Sequence, residues 1–474
     1  MKYRLTLVAA SLAVLMAGCA VGPDYKRPAE PLPDQYDAVT ANSTGAAQVA
    51  PDWWRAFNDP QLDALVQKAL TDSSDVRIAI ARIEQADAVL KQAGAALFPE
   101  VDLAAAAARS QTSEYLTTPG ADRQGNNFQL RGLVAAYELD FWGKFRRARE
   151  AAIAQAAGSH YYRDTVRLTV ASQVASTYIQ LRATEGLLDA NRESLKNREE
   201  AVAITQRRYD AGSVSRLDVE QAISNRAALV AQTSALEGQR EVFMHTLALL
   251  TGDPALVIQP GASARDLPTP AVPPVGLPSE LIEARPDVRQ AEATLASYNA
   301  QIGVAKAALF PTISLTGAFG GASADLSVLF KSGAQAWNIG ATLNLPIFDA
   351  GYRSGKVDQA TAVQKEALEQ YRKTVQTAFK EVRDALSTLR QATVSEEARR
   401  VQLDSAIRSE QIASARYKAG SAAFLDLLDS QRSRNDADIT YLTARQNRLT
   451  AQIDLYKALG GGWRPDVTIT GHAP

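Results

Sequence analysis

The sequence predicts a mainly α-helical, internally duplicated chain with a minor β part that closes into a membrane barrel only when several copies join. Three observations carry this expectation. Two long proline-free windows, between Pro119 and Pro254 and between Pro346 and Pro465, hold heptad-spaced apolar residues. Short stretches of period-two alternation come before each heptad run. The string RYDAGSVSRLDV at 208–219 returns as RYKAGSAAFLDL at 416–427.

The chain of 474 residues opens with Lys2 and Arg4, then an apolar run from Leu5 to Leu15 that is too short for a mature membrane helix. The following Met16-Ala17-Gly18-Cys19 resembles a bacterial lipobox, which makes 1–18 a signal peptide and Cys19 a lipidated N-terminus. An ordinary secretory signal with an incidental cysteine is the alternative. Cys19 is the only cysteine, so an exported chain of this kind forms no internal disulfide. Ala20 in place of an aspartate resembles lipoproteins sorted to the outer membrane. No later segment has eighteen consecutive apolar residues, so any membrane crossing must use a closed β-barrel.

The expected organisation has 19–75 as an anchored N-terminal extension, 76–253 as a first repeat, 254–286 as a connector, 287–461 as a second repeat and 462–474 as a tail. AALFP at 95–99 recurs at 307–311, and Val76-Arg77 precedes the first copy by the same spacing as Val288-Arg289 the second. A period this long marks a duplication rather than a solenoid array. The connector is rich in proline and reads as a solvated linker.

After each AALFP come strand candidates: 101–110 and 127–142 in the first copy, 312–320 and 337–348 in the second. The last alternates Trp337, Ile339, Ala341, Leu343, Leu345 and Ile347 against Asn338, Gly340, Thr342 and Asn344. Each is near the 9–11 residues that a tilted membrane strand needs. About four strands cannot close a barrel, and open edges are intolerable in hydrocarbon. Several chains must then share one barrel; a soluble sheet packed on helices is the alternative.

Helices follow. Val174, Leu181, Leu188, Leu195, Val202 and Tyr209 lie seven apart, as do Leu229, Leu236, Phe243 and Leu250. Tyr371, Val375, Ala378, Val382, Ala385 and Leu389 alternate steps of four and three, and Phe424, Leu428, Ile439, Leu442, Leu449, Ile453 and Tyr456 continue the pattern. Narrow stripes of this kind make coiled-coil seams. A helix from Gly143 to Arg208 would run on the order of 100 Å. Gly212 and Gly420 suit the positive φ at which a helix ends and the chain reverses. The doubled string is therefore a hairpin tip, present twice.

Composition excludes several functions. The net charge of −1 gives no footprint for nucleic acid. Three histidines and one cysteine leave little for a metal centre, and His160, His245 and His472 have no neighbour at ligand spacing. Asp426 and Asp429 could in principle form an acid/base pair, but a coiled-coil tip offers no cleft, and the reading is no enzyme and no cofactor. Trp53-Trp54 reads as an anchor for the N-terminal segment.

Taken together, GCAVGPDYKRP (18–28), PDWWRAFNDPQLDALV (51–66), the two AALFP motifs, GLPSELIEARPDVRQAEATL (276–295) and the two Y-x-A-G-S-x-x-x-L-D turns resemble TolC-like outer membrane factors, in the OprM/NodT lipoprotein branch. The resemblance spans nearly all of the mature chain. It implies a homotrimer whose twelve strands form an outer-membrane barrel, continued by a periplasmic α-helical coiled-coil tube with a mixed equatorial girdle built partly from the chain ends and the inter-repeat segment. The partners it implies are a periplasmic adaptor and an inner-membrane pump of the RND type, with drugs or other small compounds as cargo. Type I protein secretion and a structural envelope lipoprotein without a pore are the alternatives. It further implies that Leu425, Asp426 and Asp429 line a periplasmic gate, and that Asp218, with Arg208, Tyr209, Arg416 and Tyr417, ties the tips together. Phe424 stands where many members carry tyrosine.

Overall fold

The computed structural model describes residues 20–31, 33, 49–273 and 281–464. Its elements come in two matched series. A 22-residue helix α2 (Ser74–Ala95) follows a short α1 (Pro60–Asp72) and leads into strands β1 (Glu100–Gln111) and β2 (Gln124–Glu138). Then come α3 (Lys144–Asp210), of 67 residues, and α4 (Arg216–Leu250), of 35. The second series repeats these lengths: α5 (Pro286–Ala307, 22 residues), β3 (Thr312–Ser323), β4 (Gln335–Asn344), α6 (Tyr352–Lys418, 67 residues) and α7 (Phe424–Ala458, 35 residues).

The heptad stripes are buried as their spacing requires. Tyr371, Val375, Ala378, Val382, Ala385 and Leu389 of α6 form one seam with Val288 and Leu295 of α5 and Ala451 and Leu455 of α7. On α3, Val174, Leu181 and Leu188 are buried, but the stripe loosens toward the tip, where Leu195 and Val202 are half-buried. Among the described residues no helix is long and apolar enough to cross a membrane.

The four strands make one antiparallel sheet in the order β1-β2-β3-β4, so β1 and β4 each keep an unpaired edge. The last strand is shorter than the alternation suggested. It ends at Asn344, and Ile347 and Phe348 are exposed beyond it in the single chain. Pro346, with no N–H to give, cannot extend the ladder.

A girdle surrounds the middle of the long helices. Its core joins Trp53, Trp54, Phe57 and Leu62 to Val174, Tyr178 and Leu181 of α3 and Leu449, Ile453 and Tyr456 of α7. Trp53 stacks on Tyr456 with ring centroids 5.3 Å apart, which is the anchoring role expected of the tryptophan pair. The Tyr178 hydroxyl donates to Asp59 Oδ2 at 2.6 Å; burial, with that bond, pushes its pKa well above the usual tyrosine value.

The connector is not a solvated linker. Ala264 and Leu267 are buried, and helix side chains take up its backbone carbonyls. Arg182 Nη2 donates to the Gln259 carbonyl at 3.0 Å, and Tyr456 to that of Ala271 at 3.1 Å. Arg445 donates to the carbonyls of Ala264 and Leu267, to Thr269 Oγ1 and to Glu396. Proline supplies carbonyls without donors, so a proline-rich strand is well matched to a row of arginine and glutamine donors.

The described N-terminal segment, residues 20–31, is also held against the helices. Val21 N–H donates to the Trp142 carbonyl, Arg147 pairs with Asp24 at 2.7 Å, and Arg27 pairs with the buried Glu292 at 2.6 Å. Gly22 crosses Gly303 so closely that a Cβ on either would strike backbone atoms of the other strand or helix. His160 sits half-buried on α3 and His245 is exposed on α4. Cys19 and His472 lie outside the described residues.

Candidate functional site

Two parts of the molecule present faces that a single chain leaves open: the sheet and the hairpin tips. Register defines the faces of the sheet. Tyr137 sits opposite Leu315, Ala135 opposite Gly317, and Val101 opposite Ala135. Phe319 faces Trp337 and Ile313 faces Leu343, while Gly317 faces Ile339. These positions share one face, and Trp337 and Ile339 on it are 72% and 82% exposed in the single chain. The opposite face carries Thr316, Ala318, Asn338, Gly340, Thr342 and Asn344. An apolar outer band over a polar, small-residue inner surface is the pattern of a membrane barrel wall.

Strand β2 has an irregularity that no alternation pattern announces. Arg131 pairs with Gly320 and Leu133 with Phe319, which leaves Gly132 as an extra residue. The same residue shifts the β1–β2 register. A bulge changes side-chain parity. Phe128 and Leu130 before it therefore share the apolar face with Ala135 and Tyr137 after it, while Gln129 and Arg131 fall on the inner face.

The tips begin where Gly212 and Gly420 take φ of +72° and +76°. Ser213 N–H donates to the Arg208 carbonyl and Ser421 N–H to that of Arg416, closing the two helix ends in the same way. The return helices start differently. Ser215 caps α4: its Oγ accepts from the Asp218 N–H, and Asp218 Oδ2 accepts from the Ser215 N–H at 2.9 Å. At the second tip Ala423 has no hydroxyl, and Asp426 Oδ2 alone accepts from the Ala423 N–H at 3.3 Å.

The structure brings Arg208 and Tyr417 together across the two hairpins, with the guanidinium 4.5 Å from the ring centroid. Tyr417 in turn lies 5.6 Å from Phe424 in a small core with Ala201, Ala222, Leu427 and Leu428. Tyr209 is approached by Arg216 of its own hairpin, Arg416 Nη2 returns to the Ser421 carbonyl, and Asp218 is engaged in its own cap. Leu425 and Asp429, four residues apart, point away from this core and are 64% and 70% exposed. Asp429 lies 3.7 Å from Arg432 one turn on. The arrangement presents one leucine, one carboxylate in an exposed pair with Arg432 and one capping carboxylate per chain on a face that a single chain leaves open.

Sequence reasoning missed the Gly132 bulge and the connector's donors. A glycine inside an alternating run was the one available signal for the bulge.

Comparison with known proteins fits this geometry. The family model described as outer membrane efflux protein matches residues 65–253 and 277–461. The chain is 34% identical to the pyoverdine export outer membrane protein OpmQ of Pseudomonas aeruginosa, over 98% of each chain. It is 33% identical to the antibiotic efflux pump outer membrane protein ArpC of Pseudomonas putida, over 95% of this chain and 94% of that one. The crystal structure of the Campylobacter jejuni CmeC outer membrane channel superposes with a TM-score of 0.88 at 26% identity, covering 95% and 97% of the two chains.

Proposed function

Because the chain belongs to the outer membrane efflux protein family and is an outer-membrane efflux channel, we propose that three copies form the exit duct of a tripartite pump for small compounds. The observation that carries this is the four-stranded sheet with an apolar outer face and two unpaired edges. Three such sheets give twelve strands, enough to close a barrel that one chain cannot. Each barrel strand pair runs into a helix of 67 residues, so the wall continues as a tube about 100 Å long. A periplasmic adaptor and an inner-membrane pump of the RND type complete the path. The connector 254–286 belts two repeats, 76–253 and 287–461, between an anchored extension at 19–75 and the tail at 462–474.

Antibiotics and pyoverdine-like compounds are the cargo we assign, by likeness to ArpC and OpmQ. A strain lacking this protein should lose resistance to several unrelated antibiotics and regain it on complementation. Unchanged susceptibility across a broad compound panel removes the efflux assignment.

Cys19 is the lipid anchor in this reading. Its support is positional: the Val21 N–H, two residues on, donates to the Trp142 carbonyl in the turn between β2 and α3, at the foot of the sheet. Mass spectrometry of the mature N-terminus tests it, since an unmodified Cys19 contradicts the anchor.

The tips form the gate. Threefold repetition places rings of Leu425, Asp426 and Asp429 around one axis. Like charges there repel, and the Arg208–Tyr417 contact holds the hairpins against that repulsion. In planar bilayers, Asp426→Ala combined with Asp429→Ala should raise conductance and reduce cation preference several-fold. Wild-type values for both quantities would assign the constriction elsewhere.

A further inference from the structure

The inner face of the sheet carries one basic side chain. Below the Gly132 bulge the inward positions of β1 and β2 include Glu100, Asp102 and Glu138; above it they include Ala104, Ala106, Gln129 and Arg131. The inward positions of β3 and β4 are alanine, glycine, serine, threonine and asparagine. Arg131 therefore stands alone as a cation on this face. It forms no ion pair among the described residues. The nearest inward carboxylates lie toward the tube: Glu138 is held by Lys144 at 3.1 Å, and Asp102 faces Val134, three residues along β2 from Arg131. Because the bulge takes up one of those residues, the separation is only the two-residue step from Ala104 to Asp102 on β1, about 7 Å along the strand.

Arg131 also borders a hollow of about 220 Å³. Gln129 and Asn338 add amide donors to its lining; Ala318, Gly320, Ala322 and Ala336 supply its small inward positions, and Phe319 and Trp337 border it from the alternate positions of β3 and β4. Side-chain donors of three residues line the hollow, and no carboxylate does. The bulge is what creates the arrangement, because without the extra residue Arg131 and Gln129 would point into lipid.

We propose that this hollow is a binding site for carboxylate-bearing organic anions on their way out through the barrel. The planar fork of Arg131 takes a carboxylate through two N–H donors, and the Gln129 and Asn338 amides take a second acceptor group of the same molecule. In a twelve-strand barrel the three copies lie four strands apart, about 19 Å along the wall. That exceeds the screening length of about 8 Å at physiological salt, so the copies act as three separate sites rather than one ring. The site is a resting point with fast release, as conduction demands.

This inference rests on the three-chain duct, and the test separates the two. Single channels are recorded in planar bilayers in potassium chloride, with citrate added on the barrel side. Wild-type protein should show citrate-dependent current reduction. Arg131→Ala should weaken the citrate effect at least fivefold with unchanged conductance in chloride alone, and Arg131→Lys should restore part of it. Asp102→Asn, which removes the nearest unpaired carboxylate, should strengthen it two- to threefold. A citrate response equal in wild type and Arg131→Ala, or absent from a conducting wild type, overturns the site while leaving the duct standing. Wild-type protein that inserts no channel at all overturns both.

Discussion

Arg445 illustrates how single residues hold this molecule. It is buried on α7 and shares its donors between Glu396 of α6 and three acceptors on the connector. Removing it strips the buried Ala264 and Leu267 carbonyls of their donor, while Glu396 keeps Arg448 at 2.9 Å. Arg445→Ala should therefore cost about 1–3 kcal/mol, read as a lower melting temperature of the detergent-solubilised protein, whereas Arg400→Ala, in an exposed pair with Glu397, should be nearly silent. The arginine's role was not legible in the sequence. Its partners are backbone carbonyls some 180 positions away, which leave no periodic trace. The prolines were legible but misleading: they suggest a solvated stretch, although in a donor-poor strand they favour capture by arginine, glutamine and tyrosine. Gly212 and Gly420, by contrast, were readable, because a glycine between two heptad runs has a local reason to be there.

At the scale of elements, the coiled-coil stripes and tips transmit their pattern directly from sequence to packing. A narrow apolar stripe must find another, and α6 finds α5 and α7. A Cβ at Gly420 would meet nothing within 4 Å, so the penalty for Gly420→Ala is conformational rather than steric. It should be about 1–2 kcal/mol, confined to the tip. Limited proteolysis should then cut near residue 420 sooner, with the girdle untouched. The strands were less readable. Alternation within each was visible, but the bulge that keeps β2 in phase with its neighbours is a property of pairing. Only the register across three strands shows that Gly132 is supernumerary.

For the whole molecule, the decisive feature is a wall that remains unfinished in one chain. Its outer face must meet lipid after assembly. Ile339→Lys should accordingly cost about 2–4 kcal/mol near the bilayer midplane and reduce the fraction of assembled trimer on native gels. Asn338→Lys, one position along and on the inner face, should assemble normally. Equal assembly of the two variants would reverse the assignment of inside and outside. Counting strands gave the need for partners before any comparison; the number three did not follow from counting, because eight, twelve or sixteen strands close equally well.

The matched lengths of the two series have a geometric consequence. Because α3 equals α6 and α4 equals α7 residue for residue, both reversals fall at the same depth below the membrane. The duct thus ends in a level rim rather than a ragged one. Trimming a heptad from every arm would shorten its reach by about 10 Å and keep the rim flat, whereas trimming one hairpin alone would notch it.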